Sequence, residues 1–349
     1  MSEELSTPDD AMFQAMRDVP GAVLRTYLAP EAKVMFESLN KNACTSLKWM
    51  MADLAGEDLS TFKAGWSGYI ADSEAVHNRD LWQVSPRLNQ LTAEQRAEIR
   101  PDNDWFIFAV VRDPRLRLFS AWQNKVLMEN PHITQFRNRD WYPRHPLTRE
   151  SVIEDFAKFV AFFENEPEHM LRRDPHFRGQ VDMLIEHAIP YTRIYEIGEF
   201  KQLTSDLSEH VEKVGYDGEV HVPRANPTPL RPIGALFENG VRERIEELYA
   251  DDFDRFGHLW DFSRTEAAEP WSDKDLAACE TESQLGRRID ELHRLARTAH
   301  AENIESRKRI AALEKDVARL SVSPLRRAGS RARRSAGRIR RRVVEARRD

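Results

Sequence analysis

Residues Trp105 to Val111, WFIFAVV, run for seven positions without a charged or strongly polar side chain and stop at Arg112-Asp113-Pro114. A strand with one wet face alternates apolar and polar residues. An unbroken run instead marks a strand buried on both faces, as in parallel sheets covered by helices. Leu116, Phe119, Ala121 or Trp122, and Val126 then recur at helical spacing, with Pro114 in a first-turn position. Ala32 to Met51 repeats the plan. Val34, Met35, Phe36 and Leu39 form the apolar run, Asn40-Lys41-Asn42 breaks it, and a helix carries Leu47, Trp49, Met50 and Leu54. Thr45 or Ser46 is the expected N-cap. Two such units predict an α/β chain with a P-loop-like parallel sheet flanked by helices.

The turns between strand and helix bear on function. A helix that starts directly after a strand offers unpaired N–H groups and a positive dipole end, which suit an anion. Lys41 and Lys48 add full charges, and Thr45 and Ser46 add hydroxyls. Arg112 ends the second strand and Ser120 lies two turns into its helix, so both can face one anion at the carboxyl edge of the sheet. A phosphate or sulfate fits this chemistry. A Walker loop is excluded, because no glycine occurs between Gly21 and Gly56.

Together the two stretches resemble the phosphosulfate-binding motifs of sulfotransferases that use 3′-phosphoadenosine 5′-phosphosulfate (PAPS), in particular the family-2 carbohydrate sulfotransferases of the chondroitin type, here in a bacterial form. Lys41, Ala43, Cys44, Thr45 and Lys48 match the 5′-phosphosulfate loop. Arg112-Asp113-Pro114, Arg117-Leu118 and Ser120-Ala121-Trp122 match the 3′-phosphate motif. Asn40 stands where the family has proline, and Leu47 where it has tryptophan. The likeness continues through Asp174-Pro175-His176-Phe177 to Gln180, Ile197-Gly198-Glu199-Phe200 to Leu203, and Tyr249 to Gly257, covering roughly residues 30–262.

The resemblance implies that PAPS is the co-substrate and that a hydroxyl of a glycan or glycolipid accepts the sulfuryl group, with no metal. It implies donor contacts from Lys41, Asn42, Ala43, Cys44, Thr45, Ser46, Lys48, Arg112 and Ser120, with Arg224 and Asn226 as late contacts. Lys41 would stabilise the bridging oxygen as sulfur departs. The acceptor must lose a proton, and a neutral histidine suits that task. Of eleven histidines, His77 and His176 stand in register with family histidines. Each is otherwise read as a surface residue, and Tyr195 as an adenine contact or as core. A nucleotide-dependent phosphotransferase is the rival enzyme, and a non-catalytic membrane-surface scaffold the rival from another class.

Organisation follows from composition. Residues 1–29 read as a lead-in, 30–265 as the sulfotransferase domain and 266–284 as a linker. The loop 131–149 interleaves Arg137, Arg139, Trp141, Tyr142, Arg144 and His145. That pattern suits an acidic sugar chain or simple solvation. Over 285–320 a heptad seam runs unbroken, with Ile289, Ala296, Asn303, Ile310 and Val317 at a, and Leu285, Leu292, Ala299, Ser306, Leu313 and Leu320 at d. A parallel homodimer is expected, or else a single helix folded back on the domain. The tail 321–349 holds eleven arginines against Glu345 and Asp349, so its charge is +9 and the rest of the chain carries −15. With Leu325, Ile339, Val343 and Val344 among the arginines, the expected partner is an anionic membrane surface rather than nucleic acid. Two cysteines, no secretory leader and no transmembrane run point to the cytoplasm, peripheral at the inner face of the plasma membrane.

Overall fold

The computed structural model describes residues 11–65, 72–130, 133–223 and 229–321, with Arg333 and Ala336 beyond them. The chain divides into two units, Met1–Asp290 and Glu291–Asp349.

The first unit is built on a four-stranded sheet of β1 (Thr26–Ala29), β2 (Val34–Glu37), β3 (Phe106–Val111) and β4 (Arg193–Glu196), in that order. β2 and β3 are parallel, with Glu37 opposite Ala109, and β4 runs parallel to β3. β1 pairs antiparallel with β2, Tyr27 opposite Phe36. The sheet is therefore mixed, three parallel strands with an antiparallel edge. The reason is local: only residues 30–33 separate β1 from β2, and a connection that short can only reverse the chain.

Both faces of the sheet are covered, as the unbroken apolar runs require. Phe36, Phe108 and Val110 face one core with Leu47, Met50, Phe62, Trp82 and Leu207. Met35 and Ile107 face the other with Phe13, Met16, Leu88 and Ile185. The main helices are α1 (Ala11–Asp18), α2 (Cys44–Leu54), α3 (Pro114–Trp122), α4 (Arg149–Asn165), α5 (Phe200–Lys213), α6 (Val241–Leu248) and α7 (Asp273–Ser321). α3 and α4 enclose a third, largely aromatic core of Phe119, Trp122, Trp141, Phe156, Phe159 and Trp271.

Two expected boundaries move. Residues 11–29 are not a loose lead-in: α1 buries Phe13 and Met16, and β1 is the sheet edge. Residues 266–284 are not a linker either. Trp271 packs in the aromatic core, α7 starts at Asp273, and Leu276, Cys279 and Ser283 are buried. The loop 131–149 also departs from the acidic-sugar reading. Trp141 and Tyr142 are core residues, Arg137 pairs with Glu129, Arg144 with Asp155 and Glu154, and His145 with Glu280. These charges are consumed by internal acids. The heptad segment lies on one continuous helix, α7. The tail beyond Ser321 lies outside the described residues except for Arg333 and Ala336.

Candidate active site

The turn between β2 and α2 takes a backbone that glycine normally supplies. Lys41 has φ 70° and Ala43 has φ 56°, both left-handed. Each such residue costs about 1–2 kcal/mol without glycine. Alternating handedness turns successive N–H groups into a concave anion cradle. Asn42 holds this shape from inside: its Nδ2 donates to the Val110 carbonyl and to Gln180 Oε1, each at 2.8 Å. The expected cap is corrected. Ala43 occupies the N-cap and makes no side-chain cap, while Thr45 and Ser46 sit buried in the first turn. Neither hydroxyl serves as the cap, and the Thr45 hydroxyl lies 3.0 Å from His77 Nε2.

The second motif meets the first at the end of β3. Arg112 Nη1 donates to the Lys41 carbonyl at 3.2 Å. Asp113 makes no ion pair with Arg112; it caps α3 and is held by Arg115 at 2.6 Å. Ser120 is buried on α3. Gln180 locks both turns together. Its Oε1 accepts from Asn42 and from the Arg112 N–H, and its Nε2 donates to the Arg112 carbonyl. Asp252 accepts from the Gln180 backbone at 3.0 Å and fixes it in turn. Arg117, almost wholly buried, donates to the carbonyls of Asn40, Pro175 and Arg178, tying the cradle to the segment that carries His176.

The two histidines differ in what their lone pairs do. Lys48 Nζ donates to His77 Nδ1 at 3.0 Å, so that nitrogen is unprotonated and already engaged. Nε2–H then faces Thr45 and, at 3.2 Å, Glu74. Burial, with Lys48 beside it, pushes His77 down to about 2. His176 is arranged otherwise. Its Nδ1–H donates to Asp174 at 2.7 Å, which leaves the Nε2 lone pair outward, where Asn40 Nδ2 meets it at 2.9 Å. An aspartate behind Nδ1 with an outward Nε2 lone pair is the arrangement of an oriented base. Burial brings His176 to about 4, partly opposed by Asp174.

The cations are unevenly matched. Burial lowers Lys41 to about 8, helped by Lys125 and Arg112. Burial works against Lys48 as well, but Tyr27 and Cys44 outweigh it and hold that ammonium above its ordinary value. Lys48 also lies over the Tyr27 ring, 5.1 Å from its centre. Neither Lys41 nor Lys125 forms an ion pair with a described residue. The site therefore presents a strained cradle, with Lys41 and Arg112 just past adjacent strand ends, Lys48 on α2 and an Asp–His pair beside them.

A model of the sulfotransferase family matches residues 25–258. The chain belongs to the sulfotransferase family. No curated protein and no solved structure matches it. In this sulfotransferase the structure brings Lys41, Asn42, Ala43, Thr45, Lys48, Arg112, His77 and His176 into one site, with Cys44 and Ser46 in the first turn of α2. Arg224 and Asn226 lie outside the described residues. Tyr195 is core: its hydroxyl donates to Asp206 at 2.7 Å. Gln180, Asp174, Arg117, Glu74 and Lys125 were not singled out as site residues from sequence. Arg117, Asp174 and Gln180 lie within the motif stretches, but the ties that give Arg117 and Gln180 their roles span 58 or more residues and leave no local pattern.

Proposed function

We propose that this sulfotransferase moves the sulfuryl group of PAPS to a hydroxyl of a glycan or glycolipid. The observation that carries the donor is the tie between Arg112 and the Lys41 cradle at the ends of adjacent parallel strands, where two separated anions of one nucleotide fit. Lys41, without an acid partner among the described residues, is suited to the oxygen that bridges phosphorus and sulfur. Arg112, with its planar fork, suits the 3′-phosphate. The acceptor class rests on the likeness of the motif pair to carbohydrate-acting members.

In the reaction the bond between sulfur and the bridging oxygen breaks as a bond from the acceptor oxygen forms in line. The acceptor proton passes to His176 Nε2, and Asp174 stabilises the imidazolium. Asn40 must yield its contact with Nε2 to the acceptor. His77 is less suited, because Lys48 occupies its lone pair. The test is transfer from labelled PAPS to extracted glycans and lipids, with His176→Ala and His77→Ala compared. His176→Ala is expected to lower kcat by roughly 10²-fold or more with PAPS affinity retained. Loss confined to His77→Ala reverses the assignment, and no transfer by the wild type refutes the reading.

Assembly belongs to the same reading. Residues 285–320 pair with a second copy as a parallel coiled coil, supported by the unbroken seam. The tail 321–349 holds the enzyme to an anionic membrane, at the inner face of the plasma membrane, supported by its arginines and apolar residues. No helix among the described residues is long and apolar enough to cross a membrane.

A further inference from the structure

Lys125 is a cation of the site that the motifs do not assign. α3 does not simply continue past Trp122; residues Gln123–Leu127 form a π-turn. Its wider spacing shows in the Met128 N–H donating to the Gln123 carbonyl at 2.9 Å and the Asn130 N–H to the Lys125 carbonyl at 3.1 Å. Such turns insert a residue into a helix, redirect its later side chains, and recur at functional sites. This one is anchored. The Gln123 side chain is fully buried and pairs both ways with the Leu230 backbone, donating at 2.9 Å and accepting at 2.7 Å.

Lys125 is half-buried on this anchored turn, and its ammonium makes no hydrogen bond or ion pair with a described residue. The acids bearing on it are Asp174 and Glu74, with the Cys44 thiol behind them. Asp174 is already taken by His176, and Glu74 stands 3.2 Å from His77. The Lys125 charge bears in turn on Lys41, His77 and His176. Lys125 thus belongs with Lys41 and the two histidines. A half-buried ammonium without a counter-ion is costly unless an anion completes it.

We infer that Lys125 is a catalytic residue that binds a non-bridging oxygen of the sulfuryl group in transit, beside Lys41 on the bridging oxygen. This rests on PAPS being the donor. The sulfuryl oxygens keep their charge as sulfur moves between two oxygens, so a fixed ammonium there can hold the group in line throughout.

The test compares PAPS with 3′,5′-adenosine bisphosphate, which carries both phosphates and no sulfuryl group. Calorimetric affinities for both, and release of labelled sulfate from PAPS, are measured for wild type, Lys125→Met, Lys125→Gln and Lys125→Arg, with thermal unfolding as a check on folding. The neutral variants are expected to bind the bisphosphate within about twofold of wild type and to lose about 10- to 100-fold in PAPS affinity or turnover, the worth of one charged hydrogen bond. Lys125→Arg recovers part of the loss. Equal losses for both nucleotides, or wild-type behaviour throughout, overturn the assignment. Wild type binding neither nucleotide overturns the donor reading and this one with it, a failure visible before any substitution.

Discussion

Lys41 owes its chemistry to position. The left-handed turn holds its ammonium where burial and two other cations, Lys125 and Arg112, disfavour the charge, so it releases a proton near 8. An anion bound there stabilises the charged form and raises that value. Affinity for PAPS is therefore full below about pH 8 and is lost as pH rises through it. Calorimetry of PAPS binding between about pH 7 and 9 checks this, and Lys41→Met should flatten the profile while weakening binding at neutral pH. A flat wild-type profile contradicts the assignment of Lys41 to the donor. His176 illustrates how much a neighbour decides. In sequence alone His77 ranks ahead of His176 as the base, and the structure favours the reverse order. Asp174, two residues away, leaves its lone pair outward, while Lys48 takes the lone pair of His77.

At the scale of elements, the start of α7 is held by a buried carboxylate that its own helix does not supply. Glu129 is fully buried and accepts from Arg137 and Arg287, with His145 within 3.5 Å. Gly286 lets the helix approach closely, since a Cβ there would collide with the Met128 carbonyl. Burial alone would raise the Glu129 carboxyl, but the bonds from His145, Arg287 and Arg137 bring it down to about 2. A depressed carboxylate contributes stability that is present above its unfolded value, 4.5, and lost as pH falls from there towards about 2. Glu129→Gln is expected to destabilise the first unit by about 3 kcal/mol at neutral pH, as for a broken buried pair, and to weaken the dependence on acid over that window. Denaturant unfolding at several pH values measures both. An unchanged midpoint would mean that the network is dispensable. This clamp also explains why 266–284 does not behave as a linker. Glu280 in that stretch looks solvated in sequence, and its partner His145 lies 135 positions away.

For the whole molecule, the expected assembly is a dimer held at a membrane surface. Sedimentation of the full chain at micromolar concentration should give a dimer, and removal of 291–349, which keeps the Arg287 clamp, a monomer. Flotation with anionic liposomes should require 321–349 and fade at high salt, at about 1 kcal/mol for each basic residue near the lipid. Monomeric full chain, or tail-dependent binding to RNA but not to liposomes, contradicts those expectations. The sequence by itself determined β2 and β3, because unbroken apolar runs such as Trp105–Val111 have few other places to go. It also placed Lys41 and Arg112 at neighbouring strand ends, because motif residues adjoin strand ends and strand ends converge at one sheet edge. Tertiary structure alone decided the antiparallel edge strand, the burial of the basic loop into ion pairs, and which histidine keeps a usable lone pair. Those outcomes depend on partners brought together from distant parts of the chain, or on the exact direction of a side chain, and neither leaves a period in the sequence.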